Sequence, residues 1–126
     1  MEQKQLRVLV VDDNVDTVEA LVQILEMNGH TTAKVHDGLG VVEAARGFMP
    51  DVILLDVGLP GLNGYKVATL LRQESLLKET LLVGITGGGA GAHSLAADEA
   101  GFDIQLVKPF EAEALLALLA ARGGTQ

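Results

Sequence analysis

Two short apolar runs, each closed by aspartate, constrain this chain more than anything else in it. Leu6-Arg7-Val8-Leu9-Val10-Val11 runs into Asp12 and Asp13, and Val52-Ile53-Leu54-Leu55 runs into Asp56. A strand with one wet face alternates apolar and polar residues, whereas a parallel strand covered by helices on both faces does not. The runs therefore predict parallel strands inside an α/β layer structure. Ligands of such sheets sit beyond the carboxyl ends of the strands. Three carboxylates delivered to that edge repel one another unless a cation joins them, and their hard oxygens suit Mg²⁺.

Strand-like and helix-like segments alternate along the whole chain. Asn14 is placed to cap a helix with the stripe Val18, Leu21, Val22 and Leu25, and Gly29 stands where a helix-ending glycine belongs. Thr31–Val35 reads as a second strand, 39–46 as a second helix ending before Pro50, and Val52–Asp56 as a third strand. The stretch 57–64 is dense in turn residues, and Val67, Leu70 and Leu71 mark a third helix. Leu81–Thr86, a weaker helix over 93–100 ended by Gly101, Ile104–Val107 and a last helix over 111–122 complete five βα units. Such units, joined by right-handed crossovers, predict a flavodoxin-like, doubly wound five-stranded parallel sheet in the order 2-1-3-4-5 with five helices. The switch point of that order lies between the first and third strands, which carry Asp12, Asp13 and Asp56.

Composition narrows the function classes. With 126 residues the chain fits one domain, and 48% apolar residues can fill a core, although aromatics are only 3%. There is no cysteine, so disulfides and thiolate metal sites are excluded. The polar start Met1-Glu2-Gln3-Lys4-Gln5 has no signal-peptide character, and no apolar stretch is long enough to span a membrane, so a cytoplasmic location is expected. The net charge is −8 and the nine Lys and Arg are scattered, which argues against direct contact with nucleic acid.

Two further residues join the carboxylates. Thr86 ends the fourth strand, and Lys108 ends the fifth, just before Pro109. Acid pair, acid, hydroxyl and ammonium thus converge on one crevice. Phosphoryl transfer needs mainly positioning and charge neutralisation, and a carboxylate can itself be the nucleophile.

These features resemble the receiver domain of two-component response regulators, the CheY-like family, over essentially the whole chain. The matching stretches are Val10-Val11-Asp12-Asp13-Asn14, 51–56, Leu59-Pro60-Gly61-Leu62-Asn63-Gly64-Tyr65, Gly84-Ile85-Thr86-Gly87, Ala100-Gly101-Phe102-Asp103 and Leu106-Val107-Lys108-Pro109-Phe110. The resemblance implies that Asp56 accepts phosphate from a phosphohistidine of a histidine kinase or histidine phosphotransfer protein. It implies that Asp13 and Asp56 bind Mg²⁺ (or Mn²⁺ in its place) directly, with the backbone carbonyl of Gly58, while Asp12 acts through metal-bound water. Thr86 would hydrogen-bond the phosphoryl group, Lys108 would pair with a phosphoryl oxygen, and the Lys108–Pro109 peptide would be cis. A switch that phosphorylates itself from a donor and resets by autodephosphorylation follows, rather than an enzyme with a separate substrate. It would signal through protein contacts.

Each residue has a plainer reading. An aspartate after a strand is usually a turn former or cap, Thr86 a β-branched strand end, and Lys108 a solvated terminus. The three histidines, His30, His36 and His93, have no ligand spacing and read as surface residues. The stretch 87–91, Gly-Gly-Gly-Ala-Gly, lacks the order of a phosphate cradle and reads as a mobile loop that phosphorylation could order. Gly58, Gly61 and Gly64 read as turn residues. The sequence departs from the family at Gln105, three residues before Lys108, where many members carry an aromatic that follows the threonine. The usual coupling is thereby ruled out. The last helix is unusually apolar: Leu115, Leu118 and Leu119 form its core stripe, while Leu116 points elsewhere. A leftover apolar face over 93–119 is expected to meet a downstream protein or a second copy of the chain.

A single receiver domain over 1–126, with 123–126 as a flexible tail, is expected. It either stands alone or is excised from a larger hybrid kinase or response regulator. The Met1 start favours the first, whereas the Gly123-Gly124 tail and the phrasing of 100–110, similar to receivers of hybrid sensor kinases, fit the second. Two rivals are a phosphate-independent pseudo-receiver and a Mg²⁺-dependent aspartyl phosphatase. The latter usually carries a second Asp two residues after the nucleophile, where this chain has Gly58.

Overall fold

The computed structural model describes residues 5–57, 64–86, 101–107 and 111–124. The strands are β1 (Arg7–Val11), β2 (Thr31–Val35), β3 (Val52–Asp56), β4 (Leu81–Thr86) and β5 (Ile104–Val107). All neighbouring strands are parallel, in the order β2-β1-β3-β4-β5. The helices among the described residues are α1 (Val15–Met27), α2 (Val41–Phe48), α3 (Gly64–Arg72) and α4 (Ala112–Gly124). The helix expected over 93–100 lies outside the described residues, as does the glycine-rich loop before it.

Alternation along the buried strands divides the core into two layers. Leu9, Val11, Ile53, Leu55 and Leu82 face α2 and α3, meeting Val41, Ala45, Val67, Ala68, Leu71 and Phe102. Val8, Val10, Leu54, Val83 and Ile85 face the other way, onto Val18, Leu21, Val22 and Leu25 of α1 and Leu115 and Leu119 of α4. Burial on both faces accounts for the continuous apolar runs. Leu118 packs against the second layer, and Leu116 is half-buried.

Local chemistry sets the element ends. Asn14 accepts the Thr17 N–H at 3.0 Å and caps α1. Gly29, at φ +90°, turns the chain into β2. The second helix starts later than its pattern implies, because Asp37 accepts the Gly40 N–H at 3.0 Å and holds 38–40 in a tighter 3₁₀ turn. It also runs on to Phe48, where Met49 takes a left-handed φ of 54°. Arg7 of β1 closes that end: its Nε and Nη2 donate to the Phe48 carbonyl at 2.9 and 2.7 Å, and its guanidinium lies 4.2 Å from the Phe48 ring centroid.

At the opposite edge from the aspartates, Arg72 binds three segments together. Its Nε donates to the Gly101 carbonyl at 2.9 Å, its Nη1 to the Thr80 carbonyl at 2.9 Å, and its Nη2 to Asp103. The Asp103 carboxylate also accepts the Leu82 N–H at 2.8 Å.

His30 is not a surface residue. It is buried, and its Nδ1 accepts the Leu6 N–H at 3.1 Å. An imidazole nitrogen that accepts cannot carry a proton, and burial lowers the pKa of this histidine from its usual value.

Candidate functional site

The order β2-β1-β3 places the ends of β1 and β3 side by side, with Val11 opposite Leu55 in register. Asp12, Asp13 and Asp56 emerge together there, and one carboxylate oxygen from each lies within 4.8 Å of the others. Asp12 and Asp56 are buried and Asp13 is exposed, so the cluster opens to solvent on one side. Three like charges at that range repel one another, and the more strongly where water is excluded. Hard, anionic oxygens from three side chains, with one side open to water, fit a small divalent cation that keeps part of its hydration shell.

Backbone contacts determine the position of each acid. The Asp12 N–H extends the sheet by one rung to the Val35 carbonyl, at 3.1 Å. The Asp12 Oδ1 accepts the Asn14 N–H at 2.9 Å, an Asx turn that leads directly into the cap of α1. Asp56 is paired in register with Ile85, and the Val57 N–H reaches the Ile85 carbonyl at 3.0 Å. Thr86, buried, follows Ile85 at the end of β4. Four of the expected site residues, Asp12, Asp13, Asp56 and Thr86, thus end adjacent strands at one edge. Gly58 and Lys108 lie outside the described residues.

Two residues at this edge carry more than their sequence context indicates. Gly64 is not simply a turn residue, for a Cβ on it would stand 2.4 Å from the Val57 Cα. The start of α3 therefore packs on the main chain that carries Asp56. His36, exposed as expected, has its Nδ1 3.2 Å from the Asp12 carbonyl oxygen. Its place one residue after β2, beside β1 in the derived strand order, is the signal that could have located it.

The family profile of the response regulator receiver domain matches residues 8–120. The chain belongs to the response regulator receiver family. Receiver domains of this kind are signalling switches of two-component systems rather than conventional enzymes. This receiver is 36% identical over 122 residues to the DNA-binding response regulator MtrA of Mycobacterium tuberculosis, covering 97% of the chain and 52% of MtrA. The chain spans about half the length of the curated relatives it matches. In structure it superposes on the chemotaxis response regulator CheY4 of Vibrio cholerae with a TM-score of 0.86 at 27% identity, covering 94% of this chain and 99% of that one. The receiver domain of a Pseudomonas aeruginosa sensor histidine kinase gives a TM-score of 0.86 at 25% identity, over 97% of this chain and all of that one. That receiver holds a magnesium ion in its active-site cleft. Among the described residues of the present receiver, no helix is long and apolar enough to cross a membrane.

Proposed function

We propose that this receiver takes a phosphoryl group onto Asp56 from a phosphohistidine of a histidine kinase or histidine phosphotransfer protein in the cytoplasm. The observation that carries this reading is the convergence of the Asp12, Asp13 and Asp56 carboxylates, with oxygens within 4.8 Å, at the switch point of the sheet. Asp13 and Asp56, with Asp12 through water and the Gly58 carbonyl, would hold Mg²⁺ or Mn²⁺. Bound there, the cation neutralises the carboxylates and the incoming phosphoryl oxygens.

An Asp56 oxygen attacks phosphorus, the P–N bond to the donor imidazole breaks, and the imidazole leaves with the bonding pair. Thr86, ending the neighbouring strand, donates its hydroxyl hydrogen to a phosphoryl oxygen. Lys108 supplies a positive charge to another. Water later hydrolyses the acyl phosphate, and the switch resets. The half-exposed Ile104 and Val107 on edge strand β5 belong to the face through which the signal passes to a protein partner or a second copy. Because the chain covers about half of its relatives, an output domain elsewhere in a longer protein fits this reading as well as a stand-alone switch does.

The test is intact mass after incubation with acetyl phosphate, with and without Mg²⁺. A Mg²⁺-dependent gain of one phosphoryl group, lost in Asp56→Asn, is the expected result. No gain with acetyl phosphate, together with no change on adding beryllofluoride, overturns it in favour of a phosphate-independent binding module.

A further inference from the structure

We propose that His36 is a positioning residue for Asp13, acting through the peptide that joins Asp12 to Asp13. This inference rests on the reading of Asp12, Asp13 and Asp56 as a cation site.

The two acids of the pair are held in different ways. The Asp12 carboxylate is buried and carries its own support, the Asn14 N–H at 2.9 Å on Oδ1. The Asp13 carboxylate is exposed, and its backbone sets the point from which it reaches the cluster. That backbone follows from one peptide plane. The Asp12 carbonyl and the Asp13 N–H belong to the same rigid unit, with the Asp13 Cα at its far corner. Fixing the Asp12 oxygen therefore fixes the plane from which the Asp13 side chain departs.

Two groups at the end of β2 hold this turn. The Val35 carbonyl accepts the Asp12 N–H at 3.1 Å, which anchors the incoming side. The Asp12 carbonyl, where the next rung of a parallel ladder would fall, meets the His36 Nδ1 at 3.2 Å. A carbonyl oxygen only accepts, so Nδ1 carries the proton and donates. The imidazole is rigid and reaches the oxygen through two side-chain torsions, so it holds the plane at small entropic cost. A residue lacking a donor at this place leaves the oxygen to mobile water and the plane free to rock. Groups that orient metal ligands without touching the metal typically change affinity by about 10- to 100-fold. A single part-buried bond belongs at or below the foot of that range.

The test uses Mg²⁺ alone as the probe, titrated by calorimetry into the wild type, His36→Ala and His36→Asn. The Asn amide nitrogen occupies nearly the place of Nδ1 and restores a donor. Amide hydrogen exchange at Asp13 in the metal-free proteins reads the peptide plane without any cation. The expected result is Mg²⁺ binding weakened by about three- to tenfold in His36→Ala, with faster exchange at Asp13 and an unchanged melting temperature. His36→Asn is expected to recover most of both. Equal affinities in all three proteins, or a loss that His36→Asn does not rescue, overturns the role of His36 while leaving the cation site intact. A wild type that binds no Mg²⁺ overturns both readings.

Discussion

A Cβ on Gly64 would stand 2.4 Å from the Cα of Val57 and 3.1 Å from the carbonyl oxygen of Asp56. No side chain fits that gap, so Gly64→Ala must displace either the start of α3 or the end of β3. The expected cost is about 2 kcal/mol, typical of overpacking against main chain. Urea denaturation measures it, and phosphoryl uptake from acetyl phosphate should slow in the same variant because Asp56 shifts. Gly47→Ala is the control. Nothing lies within 4 Å of a Cβ there, and relieving a helical glycine should stabilise by about 0.5–1 kcal/mol.

Repulsion among the three carboxylates gives a prediction of two signs. Without metal, Asp13→Asn removes one charge from the cluster and should raise the melting temperature. With Mg²⁺ in hundredfold excess over its dissociation constant, the wild type should gain about 2.7 kcal/mol. The variant should gain little. Thermal melts with chelator and with Mg²⁺ measure both; a variant that is less stable than wild type in chelator would remove the repulsion argument.

Burial keeps the His30 imidazole below the usual value of 6.5. Between the folded and unfolded values the folded chain binds fewer protons than the unfolded one, so stability rises with pH across that window. The contribution is complete above the unfolded value and is lost as the pH falls towards the folded value, when a proton on Nδ1 would also displace the Leu6 N–H. Denaturation across pH 5–8, compared between wild type and His30→Gln, should show the wild-type advantage shrinking towards the acid end.

Gly84 and Phe102 fill one volume between them. A Cβ on Gly84 would meet two ring carbons of Phe102 at 3.0 Å, and that ring stands edge-on to Tyr65 at 6.1 Å between centroids. Gly84 is also the register partner of Gln105, so an aromatic reaches this neighbourhood from Phe102 although position 105 lacks one. Phe102→Ala should cost about 3 kcal/mol and Gly84→Ala about 1 kcal/mol. The double variant should be more stable than the sum of the two, with a coupling of at least about 0.5 kcal/mol in a double-mutant cycle.

The strands and their order were legible because burial on both faces leaves an unbroken apolar signature, and with the order came the meeting of Asp12, Asp13 and Asp56. Asn14 and Gly29 were equally legible, since a cap and a left-handed turn are local events. What escaped depends on partners distant in the chain. His30 meets Leu6 and His36 meets Asp12, each 24 residues away, and no spacing pattern marks either pair. Gly64 resembles any loop glycine until the main chain of Val57 is set against it. The late start of α2 has a nearer cause: Asp37 diverts the first residues into a 3₁₀ turn, which the apolar pattern alone does not distinguish from a helix.

The contacts of Arg72 also bear on the order in which the molecule can be assembled. The partners it binds, Thr80, Gly101 and Asp103, all follow it in the chain, whereas the three clustered aspartates precede it. During synthesis β1, β2 and β3 can pair, and gather the acids, before any of those partners has left the ribosome. Until then the free edge of β3 is exposed to pairing with other chains. Arg72 emerges beforehand with its guanidinium in water, and it is satisfied only when β4 and the start of β5 arrive. The arginine thus ties only later parts of the chain to α3, and none of its partners belongs to the acidic cluster.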